Sequence, residues 1–188
     1  PIGPADRTIP TGTIDNTSGS AVSLSTNNAQ SWNGDFIFGG ANDLNLGTGA
    51  VTLGSTVSLT TNGTGTLTVG GVIGGAGFGI TKEGSGTLVL NGANTFDGGV
   101  VIDAGTVRVG NAAALGTSTN SLTFGTAAGA RLQVNGNALT VRGIDGDNTA
   151  TIENSNATNG TLTVNATFGS AFDGTIQYGS AGTLALSK

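Results

Sequence analysis

Acidic residues come closer to a reactive site in this sequence than any other group of side chains. Asp145 and Asp147 are separated by one residue and Glu153 follows shortly after, so their oxygens could bind Ca²⁺. The repeated glycine-rich calcium-binding nonapeptide is absent, however. Aspartates are also expected in turns, because their side chains bond the local backbone. We therefore predict structural turns here and assign no metal ligand.

Asp97 and Asp103 are the second acidic pair, six residues apart. Glycoside hydrolysis would require two such carboxylates to face each other across a groove, but an intervening turn could send these two in any direction. Lyase chemistry would need a basic residue beside acidic metal ligands, and no such cluster is visible. We predict no catalytic residue and no cofactor, and keep a polysaccharide-active enzyme as the third hypothesis.

The glycine-rich run from Gly70 to Gly79 has the composition of a phosphate-binding loop. Such a loop needs a following helix whose N-terminus faces the anion. Ile80-Thr81-Lys82 continues a strand pattern instead. We predict a turn in which glycine supplies positive φ angles.

Threonine pairs and large aromatic side chains offer two further binding hypotheses. Pairs such as Thr64/Thr66 and Thr161/Thr163 could form an ice-binding face, but their spacings are irregular and threonine is a good strand residue. Trp32 and Tyr178 could stack on a sugar. We expect each of them to cap or fill the core instead.

Composition excludes several other functions. The 188 residues contain no Cys and no His, which removes disulfides, zinc–thiolate sites and thiol nucleophiles. The net charge is −5 and the six basic residues are scattered, so we predict no nucleic-acid partner, which would need clustered cations. No stretch approaches the roughly 18 apolar residues of a membrane helix, and we predict no direct membrane insertion. We also see no signal peptide and expect a segment of a longer protein.

A short phrase recurs along the chain at steps of about 20 residues. Gly65–Val69 reappears as Gly86–Leu90 after 21 residues and as Gly105–Val109 after 19. A repeat of this length, made of strand and turn, is typical of a solenoid whose turns stack. We predict that Leu67, Leu88 and Val107 form one inward column, with Val69, Leu90 and Val109 in the next.

Alternating apolar residues predict strands before this repeat as well, and glycine and asparagine interrupt every window that could hold a helix. The predicted strands are Ala21–Leu24, Asp35–Phe38, Asp43–Leu46, Ala50–Leu53 and Thr56–Leu59. The bulky side chains expected in the thin aliphatic core are Phe36, Phe38, Phe124, Phe168 and Phe172.

The central stretch resembles the autotransporter-associated β-strand repeat of bacterial passenger regions and large secreted surface proteins. The matching motif is Gly84-x-Gly86-Thr87-Leu88-x-Leu90-x-Gly92-x-Asn94-Thr95-Phe96, followed by Gly98, Gly105-Thr106-Val107 and Ala114-Leu115-Gly116. The resemblance covers about 33 residues. It implies a right-handed parallel β-helix, exported and displayed at the cell surface, and no particular catalytic chemistry.

We therefore predict an all-β protein, a single right-handed parallel β-helix of roughly nine rungs. Residues 1–11 are expected to be an extended lead-in and residues 12–188 the solenoid. Thr66–Val69 reappears as Thr161–Val164, and Gly86–Leu90 as Gly182–Leu186. These offsets of 95 and 96 residues suggest that the solenoid holds two tandem units.

The function predicted is a non-catalytic structural or adhesive segment of a bacterial extracellular or outer cell-surface protein. Its partner would be a surface glycan or a protein. Because both ends of a β-helix expose unpaired backbone groups, end-to-end self-association into an extracellular filament is the second hypothesis.

Overall fold

The computed structural model describes residues 7–9, 11–127, 129–166, 169–179 and 182–188, and these residues form strands and turns without a helix. All the strands are short. They are β1 Arg7–Ile9, β2 Gly12–Ile14, β3 Val22–Ser23, β4 Gln30–Trp32, β5 Phe36–Phe38, β6 Leu44–Asn45, β7 Val51–Leu53, β8 Val57–Thr61, β9 Thr66–Val69, β10 Ile73–Gly74, β11 Ile80–Glu83, β12 Thr87–Leu90, β13 Val100–Ile102, β14 Thr106–Val109, β15 Ser121–Phe124, β16 Arg131–Gln133, β17 Ala138–Val141, β18 Gly143–Asp145, β19 Thr151–Asn154, β20 Gly160–Val164, β21 Thr175–Tyr178 and β22 Leu184–Ser187.

Every pairing between these strands is parallel, and the strands form the three faces of a coil. Face 1 holds the sheet β1-β4-β7-β10 and, further along the stack, the sheet β17-β20-β22. Face 2 is the seven-stranded sheet from β2 to β18, and face 3 is the eight-stranded sheet from β3 to β21. Successive strands therefore visit faces 1, 2 and 3 in rotation, which confirms the all-β solenoid.

The coil makes about 8 turns, fewer than the roughly nine predicted. The difference arises from corners of unequal length. On face 3 the register advances by 21 residues from Thr66 to Thr87, by 19 to Thr106 and by 25 to Arg131. The right-handed sense stays a prediction, supported by the strong preference of parallel crossovers for that hand.

The inward columns predicted from the 20-residue repeat are confirmed. Leu67, Leu88 and Val107 are direct partners on β9, β12 and β14, and each is 0% exposed. The neighbouring column of Val69, Leu90 and Val109 is equally in register and buried. The core is therefore a set of aliphatic columns that run along the coil and join each turn to the next.

Face 1 changes character in turns 5 and 6, where loops replace the strands. The stack nevertheless stays bonded, because Thr95 N donates to Ile73 O at 2.8 Å and Thr117 N donates to Phe96 O at 3.1 Å. Asn94 is buried inside this region, accepting from Ile73 N and donating to Ala114 O. An internal asparagine thus substitutes for ladder bonds that irregular backbone cannot make.

Aromatic residues fill the core where the sequence predicted, with exceptions. Phe36, Phe38 and Phe124 are buried, and Phe172 is partly buried against the core. Phe168 lies outside the described residues. Trp32 is fully buried and packs against Phe36 with ring centroids 4.9 Å apart. Phe96, which was not among the predicted fillers, is also fully buried.

The predicted division of the chain stays a prediction. Residues 1–6 and 10 of the expected lead-in lie outside the described residues, while β1 within it pairs with β4. The segments that suggested two tandem units lie on different faces, with Thr66–Val69 on face 3 and Thr161–Val164 on face 1. An offset of 95 residues therefore does not superpose one face on the same face.

Candidate functional site

The first carboxylate pair is not arranged for hydrolysis. Asp97 precedes β13 and Asp103 follows it, so they lie at two different corners of turn 5. The Asp97 carboxylate accepts a hydrogen bond from Gly77 N in the turn before. The structure thus gives Asp97 a structural role at the corner between faces 1 and 2.

The candidate calcium ligands bond to separate parts of the protein. Asp145 accepts from Ala171 N at 3.0 Å. Asp147 accepts from the backbone N and the side-chain oxygen of Thr149, and these bonds lower the pKa of Asp147 below its usual value. The described residues include no group of three or more Asp and Glu side chains that could hold a metal ion.

Glu153, the third candidate ligand, belongs to a polar ladder on the outside of face 3. Its carboxylate accepts from Arg131 at 2.8 Å, from Gln133 at 2.9 Å and from Gln177 at 3.2 Å. Arg108 extends the ladder by donating to Gln133 at 2.7 Å. Burial alone would raise the pKa of Glu153, but these three hydrogen bonds and the charge of Arg131 hold it below the usual range. The ladder ties four consecutive turns together.

The other sequence hypotheses have equally structural outcomes. The glycine-rich run ends in strand β11, as predicted, and contains Gly77 at φ 79°. Tyr178 was expected to cap or fill the core, but it is 66% exposed because it lies at an outer position of β21. Among the described residues there is no helix long and apolar enough to cross a membrane.

A polar groove around Arg142 is the best candidate for an external binding site. Arg142 is the single residue between β17 and β18, whereas the same corner in turn 6 is built from the long segment 111–120. Arg142 consequently lies low between neighbouring loops, and its exposed side chain lines two adjoining grooves of about 260 and 250 Å³. Among the described residues it has no ion-pair partner.

The groove offers both donors and acceptors. Asp145 lines one side of Arg142 and Asp97 the other. The Ser170 hydroxyl accepts from Ile144 N at 3.2 Å, which leaves its own proton free to donate. Guanidinium, carboxylate and hydroxyl groups around one shallow floor suit the hydroxyls of a sugar or the polar groups of a peptide.

Sequence reasoning missed Lys82, which it counted only as one of six scattered basic residues. Lys82 is 0% exposed and points into the core. The signal was present in the sequence, since Lys82 stands two residues after Ile80 in an alternating strand, and both side chains must then face the same way.

Comparison with known proteins follows the same division between scaffold and surface. The geometry defines a parallel β-solenoid without a converging catalytic pair among the described residues. The family described as passenger-associated-transport-repeat matches residues 80–109, so this part of the chain is an autotransporter passenger repeat, as the resemblance predicted. The match covers β11 to β14.

A curated relative is similar over a longer stretch. The autotransporter adhesin BmaC of Brucella suis biovar 1 (strain 1330) is 39% identical over 79 residues, which is 42% of this chain. The aligned part is 2% of the length of that adhesin. No solved structure matches the chain.

Proposed function

We propose that this chain is a non-catalytic segment of a bacterial surface-displayed or secreted passenger protein, in which the solenoid serves as a structural spacer. The observation that carries the proposal is the position of the passenger repeat. Residues 80–109 form parts of two consecutive turns, and their inward columns continue into the turns on both sides. Such a stack transmits position along its length and needs no reactive group.

The placement of the carboxylates supports a non-enzymatic role. Asp97 is engaged with Gly77 N, and Asp103 lies at the other end of β13. Glu153 is covered by its three donors. A hydrolase would need two carboxyl groups with free oxygens on opposite sides of one groove.

Display at the cell surface is tested with a peptide tag inserted between Ser118 and Thr119, two exposed residues of the loop before β15. The tagged chain is expressed within its natural gene. We expect antibody to label intact bacteria and external protease to remove the label. Labelling only after lysis would contradict the proposal.

For the adhesive part of the role, we propose that the groove around Arg142 contacts a surface glycan or protein ligand. Its support is the exposed guanidinium between Asp97 and Asp145. Purified chain would be tested on arrays of host glycans and matrix proteins. Arg142→Ala should weaken any binding at least tenfold, while Arg108→Ala on face 3 serves as the matched control. Equal loss in both variants would reject the groove as the contact.

End-to-end association into a filament is the second candidate. Ile176 and Leu186 continue inward columns in the last described turns, yet they are 37% and 57% exposed. A second copy would bury them, as would a further turn of a longer chain. Sedimentation over a range of concentrations decides, since filaments grow with concentration and a purely monomeric chain would refute this candidate.

A further inference from the structure

Lys82 occupies a position that an aliphatic residue holds in the turns on both sides. Its partners in register are Leu59 on β8 and Ile102 on β13, both buried in the core. Among the described residues it is the one charged side chain that points inward. Its stem therefore fills a place in an apolar column, and its ammonium group must find partners inside the protein.

The ammonium group finds those partners at the corner between faces 2 and 3. Lys82 Nζ donates to Glu83 O at 2.7 Å, to Gly84 O at 2.7 Å and to Ala104 O at 3.0 Å. The first two carbonyls belong to turn 4 and the third to turn 5. All three protons of the ammonium group are thus used, and two consecutive turns of the passenger repeat are joined by one side chain.

Neutral carbonyls and few charges surround this group. Strand β8, packed below, contributes no titratable side chain. Asp103 follows β13 above, and Glu83 is the next residue on the same strand, where it accepts from Thr60 at 3.1 Å. Glu83 favours the charged form of Lys82, but burial outweighs it and lowers the pKa of Lys82 from 10.5 to about 8.

We propose that Lys82 is a titratable tie between turns 4 and 5, whose charged form closes the corner at a cost in stability that disappears when the proton is lost. The consequence is that the passenger repeat becomes more stable as the pH rises above neutral. The inference rests on the fold and is independent of the function proposed above.

The direction follows from proton linkage. Between about pH 8 and pH 10.5 the lysine of the unfolded chain still holds its proton while the folded one has lost it. The unfolded state then binds more protons, so the free energy of unfolding rises with pH across this window. Below pH 8 both states are charged and this contribution is constant.

The test is urea unfolding of the purified chain from pH 7 to pH 10.5, with Lys82→Met and with Leu59→Met as the matched control in the same column. We expect the folding equilibrium constant of the wild type to increase by as much as about 300-fold relative to that of Lys82→Met. Leu59→Met should keep the wild-type pH dependence. Parallel profiles for the wild type and Lys82→Met would overturn the proposal.

Two measurements keep the proposal testable if Lys82→Met does not fold. Carbon NMR of the Lys82 side chain in the wild type should report a pKa of about 8, and a pKa at the ordinary lysine value would overturn it. If the variant folds, amide hydrogen exchange at residues 83–86 and 103–105 should be at least tenfold faster than in Leu59→Met. Unchanged exchange would show that Lys82 ties nothing.

Discussion

Lys82 and Glu153 are the two nearly fully buried charged side chains among the described residues, and they lie on opposite sides of the solenoid wall. Lys82 points into the core of turns 4 and 5, where three backbone carbonyls are its partners. Glu153 lies on the outside of face 3, where the side chains of Arg131, Gln133 and Gln177 cover it.

The difference shows how the coil treats a charge inside and outside the wall. Burial dominates for Lys82, so its pKa is lowered and the charged form is disfavoured. For Glu153, donors from neighbouring turns outweigh burial, so the pKa is lowered and the charged form is favoured. The internal charge therefore costs stability, whereas the external ladder contributes it.

The largest contrast is expected from alanine at each site. Lys82→Ala removes the stem between Leu59 and Ile102 and leaves three buried carbonyls without donors, so the free energy of unfolding should fall by about 3 kcal/mol. Glu153→Ala creates no core cavity and should cost about 1 kcal/mol. Urea unfolding at pH 7 measures both, and an equal loss would remove the distinction between inside and outside.

Thr61 sharpens the comparison because its side chain is buried near the same corner with its hydroxyl oxygen unpartnered. Thr61→Val replaces that hydroxyl with a methyl group of the same shape and should raise the free energy of unfolding by about 1 kcal/mol. Thr60→Val is the control, since Thr60 faces outward and donates to Glu83. A loss of stability in Thr61→Val would show that the hydroxyl has a partner.

The external charge should respond to acid. Because the folded pKa of Glu153 lies below the model-peptide value of 4.5, its contribution is present above that pH and disappears as the pH falls through the folded value. Wild-type stability should therefore decline more steeply below about pH 4.5 than that of Glu153→Gln. Thermal unfolding at pH 3 to 6 compares them, and identical profiles would contradict the lowered pKa.

The smallest expected difference is between two arginines. Arg131→Ala loses the ion pair with Glu153 at 2.8 Å and should lower the free energy of unfolding by about 1 kcal/mol or less. Arg142→Ala should change it by less than about 0.5 kcal/mol, because Arg142 is exposed and has no ion pair among the described residues. The opposite ranking would place the stabilising charge in the groove.

Sequence periodicity predicted the solenoid, because a repeated phrase such as Gly86–Leu90 must stack on its copies to bury Leu88 and Leu90. It did not predict the number of turns, since corners vary between one residue at Arg142 and the long segment 111–120. The roles of Lys82 and Glu153 were out of reach for a related reason. Their partners are 20 to 24 residues away in sequence and are brought together only by the register.

The central claim is the continuous parallel register through the passenger repeat, and engineered cysteines test it directly because the chain has none of its own. Thr81 and Val101 are partners on adjacent turns, while Thr81 and Thr123 are separated by the intervening turn. Strands are about 4.8 Å apart, so only adjacent positions lie within disulfide range. We predict rapid oxidation of Thr81→Cys/Val101→Cys and none of Thr81→Cys/Thr123→Cys; the reverse result, or equal oxidation of both, would contradict the account.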